Sequence, residues 1–187
     1  MSSLIEGTGL TISNFTITSG DSDQYGTFSY TPDGVLGLDE GLLLTTGDLN
    51  QSFGPNNTGS ASVNQPNYTD QDIIQISPLA TNDAVVIEFD VVPKCDTIQI
   101  DFVFASEEYN EYVCSSFNDA FAFFVSGPGI NGPYANGAEN FAILPDGTDV
   151  SIGTVNNGSE GVWGDPANCG SLANSAFFVD NIGGADL

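Results

Sequence analysis

Short runs rich in Val, Ile, Phe and Thr recur along this 187-residue chain, and Gly, Asn, Asp and Pro separate them. Such runs are typical of β-strands, and no long apolar series at helical spacing accompanies them. The clearest runs cover residues 10–18, 41–46, 84–92, 97–105, 119–127 and 175–181. In the fourth run, TIQIDFVF, apolar and polar residues alternate, as a strand with one buried face requires. The pattern predicts an all-β fold: an antiparallel, jelly-roll-like β-sandwich with long loops and little helix.

A turn is predicted between the third and fourth runs, where residues 93–96 have the sequence PKCD. Proline and small polar residues favour turns that join antiparallel neighbours, so residues 84–105 are predicted to form a β-hairpin. The hydrophobic fraction of 40% is large enough for a buried core. A single domain over residues 1–187 is the simplest organisation, because β-sandwiches commonly reach this length without splitting.

The charge balance is strongly acidic. The chain has 25 Asp and Glu residues against one Lys or Arg, which gives a formal net charge of -24. Nucleic acids and anionic membranes are therefore poor partners, because they would be repelled. No apolar stretch approaches the roughly 20 residues that span a bilayer. The self-repulsion is relieved either by a solvated surface or by bound cations, of which oxygen-ligated Ca²⁺ is the obvious candidate.

The three cysteines show no C-x-x-C pairing, and the chain has no histidine, so a structural zinc site is excluded. Cys95 precedes the predicted strand 97–104 and Cys114 follows it, which places them at opposite ends of the sheet and beyond disulfide reach. The expected disulfide therefore joins Cys114 to Cys169 and leaves Cys95 unpaired. Three reduced thiols are the alternative, and they would be typical of a cytosolic protein.

Carboxylates are concentrated around FASEEYNEYVCSSFNDAF, where one apolar run leads into another. Crowded carboxylates repel one another unless they are protonated, well solvated or bridged by a cation. The sequence therefore predicts a calcium site, with an amide oxygen among its ligands. The predicted ligands are Glu107, Glu108, Asn118, Asp119 and Asp180, beside which Glu111 adds further negative charge. Either Asp180 with Asn181 or Asn82 with Asp83 would complete the ligand set.

The sequence FVFASEEYNEYVCSSFNDAFAFFVSGPGINGPY resembles the core signature of the choice-of-anchor L domain of bacterial surface and secreted proteins. The similarity extends, more weakly, to GLDEGLLLTTGDL followed by FGPNN, to TNDAVVIEFDVVP, to ILPDGTDVSIGTVNNGS and to NCGSLANSAFFVDN. It covers most of residues 30–182. The resemblance implies an all-β domain of large adhesin-like or secreted proteins, often of the Bacteroidetes type, with no known reaction.

The chain ends differ from what this resemblance leads us to expect. The N-terminus lacks the features of a signal peptide, so a secreted form would be a mature or excised one. No sorting or anchoring segment follows FFVDNIGGADL, and the further strands usual in such proteins are missing there. Such an end is consistent with an incomplete sheet, and a strand from another copy is one way to satisfy the open edge of such a sheet. Residues 1–20 are the candidate donor, unless they form an ordinary first strand.

Catalysis is not expected, because a chain without histidine has no Ser-His or Cys-His pair. Glycoside hydrolysis by Glu107 and Asp119 is the remaining catalytic option, but crowding by other carboxylates suits a cation better than a raised-pKa acid. Trp163, the sole tryptophan, lies in the polar segment 156–175. It either pins its own loop or, if exposed, offers a ring for ligand stacking.

The expected function is therefore that of an extracellular or cell-surface adhesion module, stabilised by calcium and without enzymatic activity. Its partner would be a surface glycan or a protein ligand. The alternative is a subunit that assembles with copies of itself into an extracellular filament or matrix by β-strand complementation.

Overall fold

The computed structural model describes residues 1, 3, 5, 9–29, 37–52, 63, 65, 66 and 68–180. In these residues the protein is mostly strand with little helix, and its strands pair as small antiparallel two-stranded sheets. The chain forms two compact units. The first consists of described residues within Met1–Thr69 and Asn82–Val103, and the second of Asp70–Thr81 and Phe104–Asp180. The described sheets do not show the predicted sandwich arrangement.

The strands of the first unit are β1, Leu10–Ser19; β2, Tyr25–Ser29; β3, Glu40–Leu44; and β4, Val86–Pro93. The strands of the second unit are β5, Ala120–Phe121; β6, Phe124–Val125; β7, Glu139–Asn140; and β8, Val150–Ser151. The pairs are β1 with β4, β2 with β3, β5 with β8, and β6 with β7. The α-helix α1 covers Gln71–Ile76, and 3₁₀ turns cover Leu49–Ser52, Ala135–Gly137, Pro166–Asn168 and Ser175–Phe177.

The longest sheet of the first unit joins β1 to β4, with Ile12 opposite Val91. Alternate side chains of both strands share one face, where the rings of Phe15 and Phe89 stack with centroids 6.2 Å apart. The N-terminal segment thus pairs within its own chain as an ordinary first strand. Its exchange between copies stays a prediction.

Gln24 is fully buried and connects three segments of the first unit. Its side-chain oxygen accepts from the backbone N–H of Asp21 at 2.8 Å. Its amide nitrogen lies 3.3 Å from the carbonyl oxygen of Thr46 and 3.0 Å from that of Asp83. Because a buried amide must be satisfied, these bonds fix the spacing of the turn after β1, the end of β3 and the start of β4. Nothing in the sequence pattern marked Gln24.

The predicted hairpin over residues 84–105 is wrong in its second half. The first half is β4, but its partner is β1, and residues 97–105 form no strand. Ile98 and Phe102 are exposed rather than buried. The alternation of a run indicates which of its faces is buried but does not reveal which neighbour it pairs with.

The two remaining aromatic runs also differ from expectation. Residues 119–127 form two short strands, β5 and β6, instead of one long strand, because they pair with two different segments. The run at 175–181 begins as a 3₁₀ turn over Ser175–Phe177 and contains no strand in its described part. Asn181, the FGPNN segment and the C-terminal end, where strands were expected to be missing, lie outside the described residues.

The core of the second unit is built around a disulfide. Cys114 and Cys169 are bonded, with their Cα atoms 4.3 Å apart, as the spacing of the cysteines predicted. Val113 and Ile152 are completely buried beside the disulfide, and the side chains of Phe104, Tyr109 and Leu172 pack against this cluster. Cys95 is free and exposed, as expected.

Buried amides complete the second unit. The fully buried Asn156 donates from its side chain to the carbonyl oxygens of Ile152, at 3.2 Å, and Ser171, at 3.0 Å. A further backbone bond runs from Ser171 N–H to Gly153 O at 2.7 Å. The segment that follows Cys169 is therefore held against the segment that follows β8 by hydrogen bonds as well as by the disulfide.

We expect the double substitution Cys114→Ala/Cys169→Ala to lower the free energy of unfolding by about 4 kcal/mol, because the bond closes a long loop of the unfolded chain. Urea denaturation followed by circular dichroism measures this loss. Cys95→Ser is the matched control and should change stability by less than about 0.5 kcal/mol, since its side chain is exposed. Equal stability of the double variant and the control would contradict a structural role for the disulfide.

Candidate functional site

The acidic segment lies in a run of turns immediately before the disulfide. Backbone bonds join Tyr112 N–H to Glu108 O at 3.0 Å and Ser115 N–H to Tyr112 O at 2.8 Å. The carboxylates of Glu107 and Glu108 therefore leave the chain from turns and not from the end of a long strand. The turns are fixed in place because Val113 and Cys114, which close them, are buried in the core.

Ser106 links this turn to Asp119, which comes directly before β5. The Ser106 hydroxyl donates to Asp119 Oδ2 at 3.0 Å and accepts from the Glu108 backbone N–H at 3.2 Å. The backbone oxygen of Asp119 also accepts from Ile152 N–H at 3.1 Å, which ties it to the core. Ser106 was not among the predicted site residues, although its place beside two glutamates in FASEEY was a usable signal.

The carboxylates of this site influence one another. Burial is the main cause of a raised pKa at Glu108, and the negative charges of Asp119 and Glu107 raise it further. Burial, with a smaller effect from Asp119, likewise raises the pKa of Tyr109. The Tyr109 hydroxyl donates to the carbonyl oxygen of Val155. Glu108 thus loses water and gains negative neighbours, which disfavours its ionised form.

Asn118 has a structural role that the sequence did not reveal. Its side-chain nitrogen donates to Ser77 Oγ at 2.6 Å, and its side-chain oxygen accepts from Gly153 N–H at 2.9 Å. Ser77 is buried at the end of α1 and also donates its N–H to Ile73 O. One amide thus joins the end of α1 to the segment after β8. Its assignment as a metal ligand stays a prediction.

The oxygen donors at the site match calcium in their chemistry. They include the carboxylates of Glu107, Glu108 and Asp119, and also Asn110 Oδ1, a buried atom that has no hydrogen-bond partner among the described residues. In the part of the chain that the structure describes, no three acidic or cysteine side chains are grouped closely enough to hold a metal ion. The donors therefore fit the ion chemically without forming a finished ligand shell.

The other predicted ligands are distributed along the chain. Asp180 is exposed and is the last described residue of the second unit. Its neighbour Asn181 lies outside the described residues. Asn82 and Asp83 belong to the first unit, where the Asp83 backbone oxygen accepts from Gln24. Burial, partly opposed by a hydrogen bond from Gln65, raises the pKa of Asp83.

The disulfide is typical of proteins that fold in an oxidising compartment. In the described ranges, none of the helices has the length and apolar character needed to cross a bilayer.

The chain matches the protein-family model described as Choice-of-anchor L domain, and the match covers residues 1–186. No curated protein and no solved structure gives a match to this chain.

We expect Glu108→Gln to stabilise the protein at pH 7 in EDTA, because the neutral amide removes a charge that burial and two negative neighbours disfavour. The gain should not exceed about 1 kcal/mol, because solvent screens the interactions of this partly exposed side chain. A raised pKa means that the folded state binds the proton more tightly than the unfolded state. The free energy of unfolding of the unsubstituted protein should therefore fall as pH rises from the ordinary glutamate pKa near 4.5 through the raised folded value. Urea denaturation between pH 4 and pH 8 measures this dependence.

The control for this prediction is Glu160→Gln, which changes the net charge equally at an exposed position of the same unit. Its effect at pH 7 should stay within about 0.5 kcal/mol. If Glu108→Gln destabilises the protein, or if both variants shift stability equally, the proposed repulsion at Glu108 is refuted.

Proposed function

This chain belongs to the choice-of-anchor L domain family, and we propose that it is a non-catalytic, extracellular adhesion module stabilised by calcium. The observation that carries the proposal is the acidic turn, which consists of residues 107–114 together with Asp119, the residue that Ser106 links to them. Burial and the charges of Asp119 and Glu107 disfavour the ionised form of Glu108, while the burial of Val113 and Cys114 fixes the end of the turn. A bound divalent cation would attract these carboxylates and thereby favour their ionised forms.

Calcium is the cation that best suits this turn. Ca²⁺ takes oxygen ligands and accepts irregular geometry, whereas Mg²⁺ demands a near-ideal octahedron. Glu107, Glu108 and Asp119 are the proposed carboxylate ligands, with Asn118 and Asp180 as further predicted oxygen ligands, and these side chains would have to move closer together to hold the ion. The ion would neutralise the carboxylates and make the turn more rigid. A rigid surface loses less conformational entropy when it binds a ligand.

The absence of catalysis is part of the proposal. The sequence supplies no histidine to serve as a general base. In a glycosidase of the type considered above, Glu107 and Asp119 would have to divide the roles of acid and nucleophile. Burial and the negative charges of Asp119 and Glu107 raise the pKa of Glu108, which lies between them in the sequence. Charge compensation explains this arrangement better than a catalytic pair does.

The finer fold and the location belong to the same proposal. Antiparallel pairing throughout the described sheets and the match over residues 1–186 support a jelly-roll-like sandwich. The disulfide supports a location outside the cytoplasm. The partner would be a surface glycan or protein. Assembly of copies by a donated N-terminal strand has less support, because β1 already pairs with β4 of its own chain.

We expect millimolar calcium to raise the melting temperature by about 4 to 8 °C over EDTA, as a binding free energy of about 2 kcal/mol would do. Asp119→Asn should abolish most of this shift, whereas Glu160→Gln should retain it. Magnesium at equal ionic strength controls for screening of the net charge of -24. Equal shifts with both ions, or a full shift in Asp119→Asn, would show that the site does not bind calcium.

We expect a monomer that binds surface ligands in a calcium-dependent way. Light scattering after size-exclusion chromatography should give the mass of one chain in calcium and in EDTA. An array of glycans and cell-surface proteins should show binding in calcium that weakens in EDTA and in Asp119→Asn. A large calcium-dependent assembly would favour the filament subunit instead. Turnover of polysaccharides that is lost in Glu107→Gln would replace the adhesion module with an enzyme.

A further inference from the structure

A short loop over residues 160–165 rests on the segment that leads into the disulfide. Backbone N–H groups of this loop donate to the other segment at three points: Gly161 to Val113 O at 3.0 Å, Trp163 to Glu111 O at 3.0 Å, and Asp165 to Cys114 O at 2.8 Å. A Cβ atom on Gly161 would lie 2.2 Å from Glu111 O, so only glycine permits this approach. The loop is thus fixed against the rigid core of the second unit.

The side chains at the tip of this loop point away from the core. Val162 is 82% exposed and Trp163, the sole tryptophan, is 66% exposed. A tryptophan that pinned its own loop would be buried, so the backbone bonds and not the ring hold this loop in place. A large ring on an ordered backbone contributes contact area at little further cost in conformational entropy, as in many binding hot spots.

The charged residues of this loop and of the segment that accepts its backbone bonds are all negative. Glu111 accepts one of the backbone bonds that hold the loop, Asp165 donates another, and Glu160 begins the loop. All three residues are exposed. The Cβ atom of Glu160 lies close to Gly164, 3.3 Å from where a Cβ would be on that residue. The only basic side chain of the protein, Lys94, belongs to the first unit. An electron-rich ring with a carboxylate rim attracts cations and repels anions.

We propose that Trp163, with Glu111, Glu160 and Asp165 around it, docks a positively charged segment of a partner protein through an arginine or lysine side chain. The guanidinium or ammonium group lies over the indole face, and the three carboxylates receive its hydrogen bonds. A second copy of this chain is a poor occupant, because it carries the same net charge of -24. The inference rests on the proposed adhesion function and names the class of partner.

The test uses an eight-residue peptide of alternating arginine and glycine, with a peptide of glutamine and glycine as its uncharged match. Because Trp163 is the sole tryptophan, its fluorescence reports binding directly. Titration in 150 mM salt should give a saturable change with the arginine peptide and none with the glutamine peptide. Fluorescence anisotropy of the labelled peptide extends the measurement to variants that lack the tryptophan.

We expect Trp163→Ala to weaken arginine-peptide binding about five- to tenfold, and Glu111→Gln/Glu160→Gln to weaken it about two- to fivefold. Phe141→Ala is the control, because this ring is also exposed on the second unit. It should change affinity less than twofold. An unchanged melting temperature for Trp163→Ala, whose ring is exposed, would verify that the fold is intact.

Equal peptide affinity of Trp163→Ala and the unsubstituted protein would overturn the proposal, since binding would then reflect net charge alone. A saturable response to a neutral oligosaccharide such as chitohexaose, with none to the arginine peptide, would overturn it in favour of carbohydrate stacking on the same ring. Array binding that survives Trp163→Ala would leave the adhesion function standing while removing Trp163 from it. These outcomes separate failure of this inference from failure of the proposed function.

Discussion

The Cys114–Cys169 bond is the constraint on which the second unit depends. Each of its four strands is only two residues long, so its sheets cannot supply a large hydrophobic face. The side chains that are completely buried next to the disulfide, Val113 and Ile152, come from segments that it and the buried amide of Asn156 hold together. A covalent bond thus replaces apolar area that short strands cannot bury, as it does in small disulfide-rich folds.

The electrostatic constraint acts in the opposite direction. A net charge of -24 on 187 residues favours expansion of the chain. Part of this negative charge lies in the acidic turn, whose backbone is held by the core. Ser106 offsets part of this repulsion by donating to Asp119. The Glu108 backbone N–H donates to the Ser106 hydroxyl, while burial and the charges of Asp119 and Glu107 disfavour the ionised form of its carboxyl group. That imbalance is the physical basis for expecting a cation there.

The sequence predicted those features that depend on local pattern or on chain length. It identified β1, β3 and the core of β4, because alternation is a local property. It also paired Cys114 with Cys169 correctly, although the strand over residues 97–104 on which that prediction rested does not form. It failed for residues 97–105, where the outcome depends on which strand β4 prefers. It also failed to mark Gln24 and the structural role of Asn118, because the partners of such an amide become visible only when distant groups converge on it. The acidic turn was predictable because its carboxylates are close in sequence.

The acidic turn and the Trp163 loop depend on the same few residues. The turn ends at Cys114, and the loop donates its backbone bonds to Glu111, Val113 and Cys114. A shift of this segment would therefore move the carboxylates and the indole ring together, since the backbone of one is the hydrogen-bond acceptor for the other. Cation binding at the turn and ligand binding at the loop would then be coupled through one rigid segment. Such coupling requires no change of fold, only that each ligand restricts the same backbone.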